Sequence, residues 1–174
     1  VNAAAASGSF GQDTIDTLQE EQLNHLMHTN WTASVLLTQL AYEKMISQQE
    51  GAIVNIASLS GIRGTKGNTP YASSKFALIG FTQSLAAEAI EYGVRVNAVC
   101  PGYVDTDMGY NAILSNAKSA GRTYEEQLQL IKKQIPSSRI TQPEEVAHTT
   151  AFLLTEAARN IVGESVKISG GAYM

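Results

Sequence analysis

Apolar positions along the chain follow two different rhythms. Between Thr17 and Gln48, residues Leu23, Leu26, Met27, Trp31, Val35, Leu36 and Leu40 recur at intervals that gather side chains on one helical face. Thr17 and Glu20 stand at capping-box spacing ahead of them, so one long or kinked helix is predicted here. Ala52-Ile53-Val54-Asn55-Ile56-Ala57 is short, apolar and partly β-branched, as a buried parallel strand requires. Gly61, Gly64, Gly67 and Pro70 break the next stretch into a loop; Tyr71 to Tyr92 then reads as a helix stopped by Gly93. Val94 to Val99 is the second strand, halted by Pro101-Gly102. Thr141 and Glu144, with Pro143 between them, open a helix running to about Ala158, and Ser165 to Ser169 closes the pattern as a strand before Gly170-Gly171.

Strands alternating with helices predict an α/β fold: a Rossmann-like, doubly wound, mainly parallel sheet whose ligands sit at the carboxyl ends of the strands. The polar, Asn/Ser/Gly-rich stretch 103–138, with one helix predicted near 123–134, is too long for a simple connection and reads as a substrate lid. A chain of 174 residues, 44% hydrophobic, suits one domain over 1–174. The opening Val1-Asn2-Ala3-Ala4, without an initiator Met or a charged leader, predicts an incomplete domain whose first strands lie outside this chain.

Charge narrows the partners. A formal net charge of −4 with no Lys/Arg cluster argues against nucleic acid and anionic membranes and leaves a small-molecule substrate. Cys100 is the only cysteine and no apolar run reaches spanning length, which predicts a reducing, cytoplasmic setting. Its place beside Pro101 makes it a buried small hydrophobe. His25, His28 and His148 lack metal-ligand spacing and read as structural or exposed, so no metal is predicted.

Tyr71 and Lys75 are four residues apart, hence on one helical face, and Ser58 lies at the end of the preceding strand. Carbonyl reduction needs a proton donor, and a phenol near pKa 10 is a sluggish acid/base at neutral pH. Lowering it by about three units takes roughly 4 kcal/mol, which a unit charge about 4 Å away supplies at an effective dielectric near 20. Lys75 is therefore expected to tune Tyr71 unaided, with Ser58 hydrogen-bonding the substrate oxygen.

Ser58 followed by Tyr71-Ala72-Ser73-Ser74-Lys75 resembles the Ser, Tyr-x-x-x-Lys signature of the short-chain dehydrogenase/reductase family. Further matches fall in the family's order: Asn30, Asn97-Ala98-Val99-Cys100-Pro101-Gly102, Val104 with Thr106, and Gly163-Glu164 through Gly170-Gly171. The pattern is similar to the 3-oxoacyl-carrier-protein reductase branch. The resemblance implies an oxidoreductase using NAD or NADP on a small or medium carbonyl or alcohol. It implies a catalytic set of Ser58, Tyr71, Lys75 and Asn30, the last holding a helix kink and a water beside the lysine. It assigns Tyr71, Lys75, Pro101, Gly102, Val104 and Thr106 to the cofactor, together with Asn2 and Ala4, where the family's Asn-Asn-Ala-Gly is altered to Asn2-Ala3-Ala4-Ala5. Homotetramers or homodimers through 30–48 and 71–92 are also implied.

The family's glycine-rich pyrophosphate turn is not found in these residues, so the isolated chain is expected to bind cofactor poorly and to be inactive. A non-catalytic scaffold or regulatory protein of the same fold is the competing reading. Carrier-protein recognition would want basic residues after Tyr71, yet Ser84 to Tyr92 holds Glu88 and Glu91 and no Lys or Arg. Arg63, Asn68, Tyr103 and Tyr110 border the expected pocket by position alone.

Overall fold

A computed structural model describes residues 1–174. Three parallel strands, β1 (Gly51–Ile56), β2 (Val94–Pro101) and β3 (Ser165–Ile168), lie in the order β1-β2-β3. On the free side of β1, Asn2 forms a parallel bridge with Asn55: Asn2 N–H donates to the Val54 carbonyl and Ile56 N–H to the Asn2 carbonyl, both at 2.9 Å.

Alternation along the strands divides the core between two faces. Ile53, Val94 and Val96 pack with Leu85, Ala86 and Ala89 of helix α3 (Thr69–Ala89), and Ala98 and Cys100 with Leu78 and Ile79. Val54 and Val99 point the other way, onto Leu153 of α6 (Pro143–Leu154). Helices on both faces make the sheet doubly wound. Arg95, also buried, donates to the carbonyls of Leu153 (2.7 Å), Ala158 (3.2 Å) and Thr155 (3.2 Å), capping the end of α6 with charge-assisted bonds.

The predicted kinked helix is α1 (Glu20–Met27) running through a π-helical turn, His28–Thr32, into α2 (Ala33–Gln48). Its start differs from expectation. Gln19 is the N-cap and makes no side-chain cap, while the Thr17 hydroxyl donates to Thr14 and Gln12 carbonyls. At α6 the capping frame is shifted by one: Glu145, not Glu144, accepts from the Gln142 N–H at 2.8 Å, and Thr141 turns toward the Ile168 carbonyl. The stretch 103–138 holds two helices where one was expected. The predicted one is α5 (Tyr124–Gln134), closed by the reciprocal Thr123–Glu126 box; the unforeseen one is α4 (Asp107–Ser119), whose N-cap is Thr106. Ile113, Ile131, Ile135 and Ile140 give this region its own small core.

Candidate active site

Strand β1 delivers Ser58 to its carboxyl end in extended backbone. There the Ser58 Oγ accepts from the Ser60 N–H (3.1 Å) and starts the single 3-10 turn Leu59–Gly61. That turn rests on α3: a Cβ added at Gly61 would fall 2.8 Å from the Lys75 carbonyl oxygen, an approach only glycine allows. Gly67, at φ +68°, receives N–H bonds from Gly11 and Asp13 on its carbonyl, so the loop after Ser58 is pinned to the 8–13 loop. From that loop Phe10 meets the Tyr71 ring edge-on, centroids 5.4 Å apart.

Ser58, Tyr71 and Lys75 line one cavity of about 660 Å³, within the range that holds small ligands. Pro101, Gly102, Val104 and Thr106, from the end of β2, share it. Arg63, Asn68 and Tyr103 are also in its wall. Tyr110 is not: its ring is half-exposed and packs on Tyr124 at 4.5 Å, because α4 carries it outward. Asn2 and Ala4 stand outside the wall, which their neighbours Ala3 and Ala5 join; the Asn2 amide is instead spent on Asn55 Oδ1 (2.7 Å) and Thr38 Oγ1 (3.0 Å).

Asn30 lies behind the cavity, fully buried in the π-helical turn. Its Oδ1 accepts from the Ala6 N–H (2.7 Å), and its Nδ2 donates to the Ala6 carbonyl (3.0 Å) and to Ser74 Oγ (2.9 Å). It thereby joins the helix kink, the N-terminal segment and α3 one residue before Lys75. Sequence reasoning took Gly61 only as a loop breaker and did not single out Phe10 or Ser74; their part in the site rests on tertiary contacts without a local pattern.

The electrostatics correct one expectation. Burial pushes the Tyr71 phenol above its usual value, opposed only by the hydrogen bond with Ser58. In this arrangement the ammonium of Lys75 is turned to the Ile56 carbonyl (2.9 Å), 5.7 Å from the Tyr71 ring centroid, and does not offset that burial. Burial pulls Lys75 itself down to about 8. Cys100, wholly buried, is pushed up to about 11 by the same desolvation, leaving an inert thiol. The three histidines are exposed, and no cluster of His, Cys, Asp or Glu forms a metal site.

A family profile described as Enoyl-(Acyl carrier protein) reductase matches residues 1–173. Among curated relatives, 3-oxoacyl-(acyl-carrier-protein) reductase FabG of Aquifex aeolicus is 43% identical over 148 residues, covering 85% of this chain and 55% of that protein. Sorbitol-6-phosphate 2-dehydrogenase SrlD from Erwinia amylovora superposes with a TM-score of 0.93 at 26% identity, over 99% of this chain and 67% of that one. A variant of actinorhodin polyketide ketoreductase with NADPH superposes at 0.89 with 31% identity, over 96% and 65%. The chain thus spans little more than half the length of the Aquifex protein.

Proposed function

This chain belongs to the short-chain dehydrogenase/reductase family over residues 1–173, and from that premise we propose that it carries the catalytic part of an NAD(P)-dependent oxidoreductase acting on a small or medium carbonyl or alcohol. One observation carries the reading: Ser58, Tyr71 and Lys75 converge on a single cavity that also holds Pro101, Gly102, Val104 and Thr106.

The chemistry follows from the side chains. Burial raises the Tyr71 phenol, so at neutral pH it holds the proton that carbonyl reduction needs, but as a weaker acid than a free tyrosine until a nearby cation stabilises the phenolate. Tyr71 gives that proton to the carbonyl oxygen while the Ser58 hydroxyl hydrogen-bonds the same atom, so two donors meet the charge that develops there. Lys75, charged below about pH 8, is the one cation of this set available to stabilise the phenolate left after transfer, and its ammonium is held on the Ile56 carbonyl, 5.7 Å from the Tyr71 ring centroid. Asn30 positions the Ser74–Lys75 turn without touching the substrate.

The nicotinamide supplies or takes the hydride when bound. The residues present fit such a group. Pro101 and Gly102 leave a slot at the end of β2 so tight that a Cβ on Gly102 would come within 3.3 Å of Leu59. No carboxylate lines the cavity to repel phosphate, and the polyketide ketoreductase above is a relative described with NADPH. NAD and NADP are both retained, with Tyr71, Lys75, Pro101, Gly102, Val104 and Thr106 as contacts; Asn2 and Ala4, outside the cavity wall, are not among them. Residues 103–138, which contribute Met108, Ala112, Asn116 and Gln134 to the wall, act as the substrate lid of a single domain. No helix is long and apolar enough to cross a membrane. A cytoplasmic homotetramer or homodimer is part of this proposal, its assembly supported by the exposed leucines Leu36, Leu37 and Leu40. The scaffold alternative draws no support from a site whose three reacting groups all line one cavity.

Nicotinamide fluorescence during titration of the full-length gene product with NADH and NADPH, beside turnover of a carbonyl panel by wild type and Tyr71→Phe, tests this. Binding of one cofactor, with turnover falling at least about a thousandfold in Tyr71→Phe, is expected; no binding of either sinks the oxidoreductase reading.

A further inference from the structure

Charge and hydrogen-bonding capacity around the cavity are both lopsided. Its wall contains Arg63, Lys66 and Lys75 and no Asp or Glu, in a chain of formal net charge −4. Lys75 is buried, bonded to the Ile56 carbonyl and already assigned to the proposed catalytic set. Arg63 and Lys66 are not: both stand on the loop between Ser58 and α3, exposed at the rim, and the ion pair of the structure, Arg139–Glu145, involves neither. Arg63 is held over the Tyr173 ring at 5.5 Å. Two cations facing a pocket free of carboxylates concentrate positive potential at its mouth, where an entering anion is attracted and oriented.

Asn68 supplies the second, independent observation. Its side chain is 2% exposed and lines the same cavity three residues before Tyr71, yet no donor of the protein reaches its Oδ1. As the N-cap of α3 it would ordinarily accept from the first-turn amides; here it makes no side-chain cap. A buried carbonyl oxygen without a partner costs free energy that a bound donor recovers.

We propose that the substrate of this site is an anionic hydroxy-carbonyl compound, a carboxylate or phosphate ester held at the rim by Arg63 and Lys66, with a hydroxyl near the reacting carbonyl that donates to Asn68 Oδ1. The inference rests on the oxidoreductase reading and narrows its substrate. Arg63 and Lys66 are rim groups, so their contribution falls with added salt; the Asn68 bond is buried and does not. A site built around a buried acceptor discriminates against an analogue lacking the hydroxyl more strongly than an apolar wall could.

Matched substrate pairs read the two halves separately in the full-length gene product with its preferred cofactor. Levulinate against methyl levulinate measures the charge term, dihydroxyacetone phosphate against acetol phosphate measures the hydroxyl term, and diacetyl, which has neither feature, reports the chemistry. We expect kcat/KM to favour the first member of each pair by about tenfold or more. Replacing Arg63 and Lys66 together by Gln should collapse the charge ratio through KM, leaving the hydroxyl ratio in place. Asn68→Leu, similar in volume but without the acceptor, should collapse the hydroxyl ratio alone. Ratios within one variant cancel any loss of folded protein. Diacetyl turnover with no preference within either pair would overturn the inference while leaving the oxidoreductase intact; no turnover of any carbonyl would overturn the reading beneath it. A double Gln variant that weakened cofactor binding with the charge ratio unmoved would assign the cations to the cofactor and likewise overturn the proposal. So would a hydroxyl ratio that survives Asn68→Leu.

Discussion

Lys75 is 1% exposed, and its folded-state pKa of about 8 lies below the 10.5 of a free side chain. The unfolded chain therefore holds more protons than the native one between those values, so this group's contribution makes stability rise as pH climbs from about 8 to about 10.5. Below pH 8 the buried ammonium costs on the order of 3 kcal/mol. Lys75→Met keeps the stem and removes the charge. Its Tm at pH 7 should exceed wild type by a few degrees, the gap should narrow above pH 10, and turnover should be lost; calorimetry across that pH range checks it. A lower Tm would mean that the bond to the Ile56 carbonyl outweighs the desolvation. At this scale the sequence pointed to Ser58, Tyr71 and Lys75, which the fold brings to one cavity, but not to the contacts each of them makes there. The Tyr71–Lys75 spacing is local and readable, whereas the retraction of the ammonium to Ile56 depends on a strand nineteen positions away. The orphaned Asn68 acceptor was visible only as a polar residue ahead of Pro70.

At the scale of elements, the site depends on how the Leu59–Gly61 turn seats against α3. Gly61→Ala puts a methyl carbon 2.8 Å from the Lys75 carbonyl oxygen, so either the turn or the helix must move. Since Ser58 precedes the turn and Tyr71 and Lys75 ride the helix, the substitution shifts Ser58 relative to Tyr71, the two groups proposed to donate to a substrate carbonyl. We expect a stability loss of about 1 to 3 kcal/mol by denaturant unfolding, with a larger proportional fall in kcat than in folded fraction. An unchanged kcat would show that the seat is slack. The elements most legible in the sequence are those with strong periodic or β-branched content, β1, β2, α3 and α5. Helix α4 was missed because its apolar residues are sparse and Gly109, Asn111, Ser115 and Asn116 read as loop; it forms because Thr106 caps it and Ile113 finds a core with Ile131 and Ile135. The Thr17–Glu20 spacing failed for the opposite reason: the Thr17 hydroxyl is captured by carbonyls in its own turn. The π-helical turn at Asn30 has no local signature, since it is held by Ala6 and Ser74.

For the whole molecule, the parallel order and the two-sided core were readable from alternation, but the surface left uncovered was not. Helix α2 exposes Leu36 (51%), Leu37 (55%) and Leu40 (79%), spaced so that they share a face, and α3 exposes Phe76 (45%). Single exposed leucines mean little, but a run of three on one helix is an apolar patch of the kind that a protein partner covers, and we propose that a second copy of this chain does so here. The same two helices are those through which a homotetramer or homodimer was expected. Covering these leucines with a second copy would also tie the kinked helix, and with it Asn30, to the integrity of the assembly. Replacing Leu36 and Leu40 by Glu sets like charges against each other across a symmetric contact and adds none to the cavity wall. Sedimentation of the full-length gene product should then shift from tetramer or dimer to a smaller species, with a Tm that is lower and, unlike that of wild type, independent of protein concentration. A wild type that sediments as a monomer at micromolar concentration, with a Tm indifferent to dilution, would reject the oligomer and leave these leucines without a partner of their own kind.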